Sequence, residues 1–560
     1  MNRILLCSVF GPYGQDDEYG SRRLNPMELY HNQVTRTQGA FSLRMFHRSW
    51  GLMIIQANID APCILLDFPS LDRFVQEIRT HKYEVVGISS IVPNLFKVKK
   101  MCELTRHYLP QAKIVVGGHV ANIPDLKEQI DADCIVKGEG IQWFREFLGQ
   151  DPKDPINHPL IVSGFRTRNF GINPKERQGA VAATVIPSVG CPLGCNFCST
   201  SAMFGGKGKS VNFYNTGEEL FYIMLQLERE MGVRSFFIMD ENFLLHKKRA
   251  LKLLELMENF SKPWSLYVFS SANMIRSYTT DELIRMGISW VWMGIEGENS
   301  QYQKLSGINT FELVHELQSN GIHVLGSTII GLENHTPENI GEAINYAARH
   351  NTDFHQFMLY TPIPGTKLYE EIEEKGQMKK KEEYDIPDIH GQSILNYHHP
   401  FLTDEDTAKA MISAFNRDFE LNGPSTVRIV RTALEGWLRH KNHPDLRVRE
   451  RYAWEARELA AKFSAVVGAA KLYYRGEKRM YKKMSDLLGQ LHAEFGWKSR
   501  LFSAIGGRWV FRKVQKEDRR LAEGFCYEPQ TFYERNSWVL DRPEAALCRF
   551  AVPLAIQKKM

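Results

Sequence analysis

Cys191, Cys195 and Cys198 stand in the run Cys-Pro-Leu-Gly-Cys-Asn-Phe-Cys, three thiols within eight residues. Thiolates are the usual ligands of iron–sulfur clusters, and a cubane needs them a few residues apart on one wrapping loop. The spacing supplies three, and no fourth cysteine lies nearby. A [4Fe-4S] cluster held here therefore keeps one iron open. Phe197, between the last two thiols, is placed to shield it. The competing reading is three structural cysteines, or a zinc site completed by a distant histidine. Zinc sites usually show two Cys-x2-Cys pairs, or one such pair with paired histidines. Cys7, Cys63, Cys102, Cys134, Cys526 and Cys548 are scattered singly and read as small buried hydrophobes.

Such a loop needs a scaffold that displays it. Between residues 180 and 377 strand patterns at 181–187, 235–239, 265–270, 290–294, 324–330 and 355–360 alternate with helical ones. This alternation predicts a full or partial (β/α)6 barrel with parallel strands, whose catalytic residues belong at the C-terminal strand ends. The cysteine run follows the first of these strands. Polar residues follow the next four: Asp240 and Glu241, Ser271 and Asn273, Glu296, and Glu333 behind Gly331. For each, a helix cap or an exposed turn is the competing reading. Recurrence at successive strand ends favours a site.

Residues 1–150 predict a second α/β unit, a doubly wound parallel sheet with strands at 3–9, 62–68, 84–91, 113–118 and 134–137. Ligands of such sheets sit beyond the carboxyl ends of the strands, at the switch point. The turns there are Ser89-Ser90, Gly117-Gly118-His119 and Gly138-Glu139-Gly140, and glycine lets a backbone approach a large ligand closely. Residues 151–179, rich in Pro, Asn and charge, read as a linker. From 378 to 560 the strand signals fade and a mainly helical, basic region is predicted. Lys and Arg exceed Asp and Glu by 13 between residues 423 and 520, against +5 for the whole chain, so the remainder carries −8. Residues 471–483 mix Tyr473, Tyr474, Met480 and Tyr481 with Arg475, Lys478, Arg479, Lys482 and Lys483. That mixture suits an anionic membrane surface, a phosphorylated lipid or nucleic acid, with a solvated helical face as the competing reading. No nucleic-acid-binding motif is visible, so no nucleic acid partner is expected.

The 191–198 run resembles the signature of the radical SAM superfamily, and the resemblance extends from 180 to about 375. It implies that Cys191, Cys195 and Cys198 ligate a [4Fe-4S] cluster whose fourth iron chelates S-adenosylmethionine (SAM), and that a flavodoxin- or ferredoxin-like donor reduces it. Reductive cleavage then gives a 5′-deoxyadenosyl radical. Met239-Asp240-Glu241-Asn242 stands where relatives have a Gly-Gly-Glu-like run touching the SAM amino group; the glycines are missing, leaving Glu241 or Asp240 for that part. Ser271, Asn273 and Glu296 resemble contacts to the SAM carboxylate and ribose, and Ile330-Gly331-Leu332-Glu333 resembles the fifth-strand motif near adenine. Residues 1–150 resemble the cobalamin-binding domain that precedes many radical SAM domains. This rests on Val116-Gly117-Gly118-His119 and Val136-Lys137-Gly138-Glu139-Gly140. Ser89, Gly117, Gly118, His119, Gly138, Glu139 and Gly140 are then the cobalamin-side candidates. The Asp-x-His-x-x-Gly motif of domains with a histidine lower ligand is absent; Asp388-Ile389-His390-Gly391 is a near miss outside the domain. Cobalamin is therefore expected without a histidine on cobalt. The Pro362-Ile363-Pro364-Gly365-Thr366 turn resembles a segment found after the sixth strand in this class.

The resemblance implies a methyltransferase acting on an unactivated carbon of a lipid or other small molecule. An oxidative cyclase or carbon–carbon bond-forming enzyme using the same cofactors is the alternative, and a cobalamin or iron–sulfur sensor a third. No catalytic acid or base is assigned. The 560 residues, 43% hydrophobic and 24% charged, fit an ordinary globular chain of two to four domains. No signal peptide or apolar run of about 18 residues is seen, so a cytoplasmic location is expected, with peripheral contact at the inner membrane face.

Overall fold

Two parallel sheets organise the chain. The computed structural model describes residues 3–11, 18–20, 34–168, 170, 172, 181–297, 305, 307–524 and 531–536; Cys526 and Cys548 lie outside them. The first sheet contains β1 (Ile4–Ser8), β2 (Cys63–Asp67), β3 (Val85–Ser89), β4 (Lys113–Gly117) and β5 (Cys134–Ile135). These five strands are parallel, in the order β2-β1-β3-β4-β5. Every residue of β1 and β2 is buried, as helical cover on both faces requires. Phe74 and Ile78 of α1 (Leu71–Thr80) and Val98 and Met101 of α2 (Leu95–Tyr108) pack on one face. Phe144 of α3 (Gly140–Phe147), with Leu52 and Met53, packs on the other. The chain leaves β1 for one side and returns for β3 on the other, so the Ser89-Ser90 turn lies at the switch point.

The second sheet runs in sequence order through β6 (Val162–Ser163), β7 (Ala182–Val185), β8 (Ser235–Ile238), β9 (Ser265–Phe269), β10 (Ile288–Gly294), β11 (His323–Ile330) and β12 (Phe354–Leu359). β7 to β12 are parallel and β6 is antiparallel to β7. Among the described residues β12 pairs only with β11, so the six parallel strands form an open, partial barrel. Local signals set the covering helices: α4 (Gly217–Met231) starts at a Thr216–Glu219 capping box and stops at Gly232, whose φ is +64°.

Two segments differ from their sequence-based reading. The 151–179 stretch is not a plain linker: β6 pairs with the barrel, and Phe165–Arg168 pairs with Arg44–Phe46. The region from 378 is mainly helical, as its pattern predicts, but it also contributes a strand to the first sheet. Its strand β13 (Phe532–Arg535) pairs antiparallel with β2, and Arg48 ties the two by binding Asp67 at 2.9 Å and Glu534 at 2.7 Å. Hydrophobic periodicity did not predict this long-range pairing, because a four-residue strand carries little pattern of its own.

The helices of that region brace the barrel. α5 (Asp404–Asn422) and α6 (Ser425–His440) share the buried pair Arg428–Asp418 at 2.7 Å, and Arg428 also donates to the Thr352 carbonyl before β12. Thr432 of α6 donates to Asp353, which accepts from the Val324 amide of β11. α7 (Leu446–Glu455), α8 (Ser464–Tyr473), α9 (Lys478–Leu501) and α10 (Gly507–Ala522) complete the bundle. The 471–483 run is partly engaged within it. Met480 is buried, Lys483 donates to the Asn422 carbonyl at 2.8 Å, Arg479 donates to the Glu420 and Leu421 carbonyls, and Lys482 pairs with Asp486. Arg479 and Lys483 thus close the C-terminal end of α5, while Tyr473, Arg475, Lys478, Tyr481 and Lys482 stay exposed.

Candidate active site

The cysteine loop follows β7 and is shaped by glycines. Gly190 and Gly194 hold φ of +83° and +65°, and a Cβ on Gly194 would stand 2.6 Å from the Lys207 Cα. The loop then enters a short helix, Ser199–Met203, whose Ser201 amide points at the Cys198 sulfur at 3.4 Å. The Ser201 hydroxyl donates to the Cys191 carbonyl at 2.7 Å. Residues on either side of the Pro-Ile-Pro-Gly-Thr turn brace the loop from outside. Leu368 donates its amide to the Asn196 carbonyl at 2.9 Å, and the Asn196 side chain reaches Tyr360 and Glu371 at 3.2 and 3.1 Å.

All three thiols line one cavity of about 590 Å3 at the C-terminal ends of the barrel strands. Burial pushes the Cys191 thiol up to about 11 and raises Cys198 as well, so loading a cluster must displace protons from them. Among the described residues, no three His, Cys, Asp or Glu side chains are arranged to hold a metal ion. The thiols share a rim without converging on one point, a donor set suited to separate corners of a larger inorganic core.

The structure separates the two acidic candidates after β8. Asp240 is buried and engaged by Arg249, by the Ser188 hydroxyl at 2.7 Å and by the Asn242 amide at 3.0 Å. Glu241 lines the cavity, its Oε2 is buried without a hydrogen-bond partner, and burial raises its carboxyl to about 7. An acceptor so placed fits a cationic ligand group. Ser271 and Glu296 also line the cavity, Glu296 at a φ of +57° that turns the chain sharply after β10.

Other candidates stand elsewhere. Asn273 accepts from the Met274 amide and is not on the wall. Glu333 is half exposed, pairs with Lys375 at 3.1 Å, and is likewise off the wall. Gly331 lies behind it, its amide donating to His335 Nδ1 at 3.1 Å. The reason is geometric: β11 is followed by a turn that points Glu333 outward and His335 inward. Two residues not singled out for this cavity belong to it. Asn242 locks the floor, accepting from the Ser270 hydroxyl and Ser271 amide at 3.0 and 3.1 Å. His390, from a loop folded across the barrel mouth, is 9% exposed and has no hydrogen-bond partner at either ring nitrogen. Burial holds that imidazole down to about 4, hence neutral.

A second cavity of about 380 Å3 lies over the carboxyl ends of β3, β4 and β5. Ser89, Gly117, Gly118, His119, Gly138, Glu139 and Gly140 all line it. Gly118 has φ +82°, and a Cβ there would fall 2.4 Å from the Ser90 carbonyl oxygen. Glu139 is turned to another task, its carboxylate capping α3 through the Ile141 and Gln142 amides. His119 is half-buried, its Nε2 is enclosed without a partner, and desolvation lowers its pKa. The glycine floor and this orphaned nitrogen fit a large planar cofactor. His119, Thr200 and Glu241 line both cavities, so the two chambers share a wall.

Comparison with known families agrees with this layout. Residues 37–148 match the B12 binding domain model and residues 185–347 match the radical SAM superfamily model. The chain belongs to the radical SAM family that carries a cobalamin-binding domain. The enzyme is 26% identical over 319 residues to an uncharacterized methyltransferase, PH0819, of Pyrococcus horikoshii, covering 51% of this chain and 69% of the relative. It is 24% identical over 327 residues to the bacteriochlorophyllide d C-8(2)-methyltransferase of Chlorobaculum tepidum, covering 52% and 69%. It is also 24% identical over 359 residues to the anaerobic magnesium-protoporphyrin IX monomethyl ester cyclase of Rubrivivax gelatinosus, covering 57% and 63%. Its cofactors are those of the two domains: a [4Fe-4S] cluster, SAM and cobalamin. Among the described residues no helix is long and apolar enough to cross a membrane.

Proposed function

We propose that the enzyme is a cobalamin-dependent methyltransferase that acts on an unactivated carbon of a lipid or other largely apolar small molecule. The observation that carries the reading is the shared wall: His119, Thr200 and Glu241 face both the thiol-lined chamber and the chamber over the glycine turns. When bound, the cluster with SAM supplies a 5′-deoxyadenosyl radical and the cobalamin a transferable methyl group. Cys191, Cys195 and Cys198 would hold the cluster, with electrons from a flavodoxin- or ferredoxin-like donor. Glu241 would accept from the SAM ammonium, with Ser271 and Glu296 beside it on the same wall. The turns Ser89-Ser90, Gly117-Gly118 and Gly138-Glu139-Gly140 would carry the corrin.

The rest of the wall suits an apolar substrate. Phe269 and Trp292 stack at 4.9 Å, and Ile329, Met358 and Ile389 continue the apolar lining. Such a surface keeps water from a carbon radical. His390 and Gln356 are polar groups on this wall able to orient the substrate, and a neutral imidazole can donate or accept there.

Anaerobic reconstitution of the full chain should give about four irons per chain, as one cubane requires, and Cys195→Ala should lose them. Methyl-labelled SAM then tests the reaction: label recovered in the product supports methyl transfer. Formation of 5′-deoxyadenosine with no label in the product favours the second reading, an oxidative cyclisation, which the likeness to the Rubrivivax gelatinosus cyclase supports.

A further inference from the structure

The end of α9, the π-helical turn Phe502–Gly506 and the start of α10 carry a surface that the catalytic reading leaves unexplained. Trp497, Leu501, Ile505 and Trp509 recur every fourth residue and are 75%, 45%, 63% and 52% exposed; Phe502 beside them is 39% exposed. Of the large hydrophobic side chains most exposed among the described residues, none is more open than Trp497. The row stays aligned because four residues overshoot a turn of α-helix and fall short of one π turn, so the inserted turn reverses the drift.

The opposite side of the same helices is fixed inward. Val510 and Val514 join the bundle core, and Gly468 of α8 lies so close that a Cβ would fall 2.4 Å from the Ser503 carbonyl oxygen. The exposed row therefore cannot rotate into the protein.

Charge tells what it meets. Residues 495–516 include Lys498, Arg500, Arg508, Arg512, Lys513 and Lys516 and no acidic residue. The flanking acids do not offset them: Glu494 is held by Lys441 at 2.7 Å and by Trp437, and Glu517 is buried. Lys513 places its ammonium 5.4 Å from the Trp509 ring centre, so cation and aromatic present one edge together. A second copy of the chain would bring two such basic rims face to face, which like charges oppose. An anionic bilayer satisfies both halves, with aromatic side chains at the acyl boundary and basic ones among the headgroups.

We propose that the Trp497–Leu501–Ile505–Trp509 row, rimmed by Lys498, Arg500, Arg508 and Arg512, docks the enzyme on an anionic lipid surface. This extends the expected peripheral membrane contact and moves it from the 471–483 run to a different face. It needs no part of the catalytic assignment.

The test is co-sedimentation of the full-length reconstituted enzyme with vesicles of equal parts phosphatidylglycerol and phosphatidylcholine, and with phosphatidylcholine alone. Binding to the mixed vesicles should exceed binding to phosphatidylcholine and weaken with added salt. Trp497→Ser/Ile505→Ser/Trp509→Ser should lower it by at least about tenfold, and each of Arg508→Gln and Arg512→Gln by about fivefold. All these positions are exposed, so thermal midpoint, iron content and SAM cleavage without lipid should match the parent. Equal sedimentation of the parent and the triple variant overturns the proposal. So does a parent that forms dimers in sedimentation velocity, loses them in the triple variant and ignores vesicles; the row would then be a contact between copies. Loss of iron or SAM cleavage in the parent would instead strike the catalytic reading and leave vesicle binding to be scored by itself.

Discussion

Replacing Glu241 by Gln separates the two glutamates that follow barrel strands. The substitution keeps the shape and one neutral acceptor but removes the charge from a carboxyl whose Oε2 is buried without a partner. A hydrogen bond to a charged group contributes ~1.5–3 kcal/mol and a neutral one about 1 kcal/mol, while a charge pair at 4 Å in a partly screened site adds up to ~4 kcal/mol before desolvation. The net loss toward the SAM ammonium should be ~2–3 kcal/mol, a roughly 30- to 150-fold weaker dissociation constant. Equilibrium dialysis of SAM against the anaerobically reconstituted protein reads this directly. It should be run at pH 8, since burial holds the Glu241 carboxyl near 7 and the charged form must dominate. Glu333→Gln is the control: that side chain is 50% exposed and pairs with Lys375 on the surface, so SAM binding should stay within about twofold of the parent. If Glu241→Gln keeps its iron and binds SAM within about threefold of the parent, or if Glu333→Gln weakens binding as much, the assignment built on the cavity wall fails.

Gly118→Ala puts a Cβ at a φ of +82° and 2.4 Å from the Ser90 carbonyl; we expect a loss of ~2–3 kcal/mol in urea unfolding and loss of co-purifying cobalamin, read by absorbance, with iron retained. Unchanged cobalamin content would reject the glycine floor as its seat. Arg428→Ala leaves the buried Asp418 charge with only the Asn422 amide as a hydrogen-bond partner and should cost ~3–5 kcal/mol in the same assay, whereas a parent-like midpoint would mean the pair adds nothing to the α5–α6 brace. His158 is buried with Nε2 accepting from the Ile186 amide, and burial lowers its pKa to about 4. The unfolded chain takes up this proton first, so its contribution is complete above about pH 6.5 and is lost as the pH falls toward 4. His158→Gln should reduce the pH slope of stability across that window by up to ~1.4 kcal/mol per unit, and an unaltered slope would show that the histidine titrates equally in both states.

The site was legible where chemistry is local in sequence. Three cysteines in eight residues need no folded context to be read, and the strand-and-turn pattern placed Glu241, Ser271 and Glu296 at strand ends that the fold does gather round one cavity. Side-chain direction was not legible. Glu333 and Glu296 look alike as residues after a strand, yet one turns to solvent and the other inward, because Glu296 adopts the left-handed region and Glu333 follows a glycine turn at Gly331. Asp240 and Glu241 were equivalent until Arg249, nine residues on, was found to engage the first. His390 was visible only as a failed cobalt-ligand motif. Its loop reaches the chamber through contacts remote in sequence, such as Gln392 donating to the Phe357 carbonyl at 2.6 Å, and periodicity carries no trace of these.

The two sheets explain why the chain needs long-range braces that neither domain supplies alone. Each sheet presents its ligand turns at its carboxyl edge, and a shared wall exists only if those edges are held facing each other. Gly365, on the turn after β12, meets Asn122, just after the His119 turn, so closely that a Cβ would fall 2.7 Å from the asparagine Cβ. That contact sets the separation on one side of the two chambers. On the other, β13 extends the first sheet from the far end of the chain, while α6 rests against β11 and β12 through Asp353 and Thr352. The helical region thus grips both sheets, one by strand pairing and the other by buried polar bonds. Loosening either grip would disturb the wall that His119, Thr200 and Glu241 share. A group passing between two chambers depends steeply on their spacing, since a misplacement of about 1 Å can cost roughly 100-fold in rate. The helical region, which contributes few residues to the cavities themselves, is in this sense part of the apparatus that aligns them.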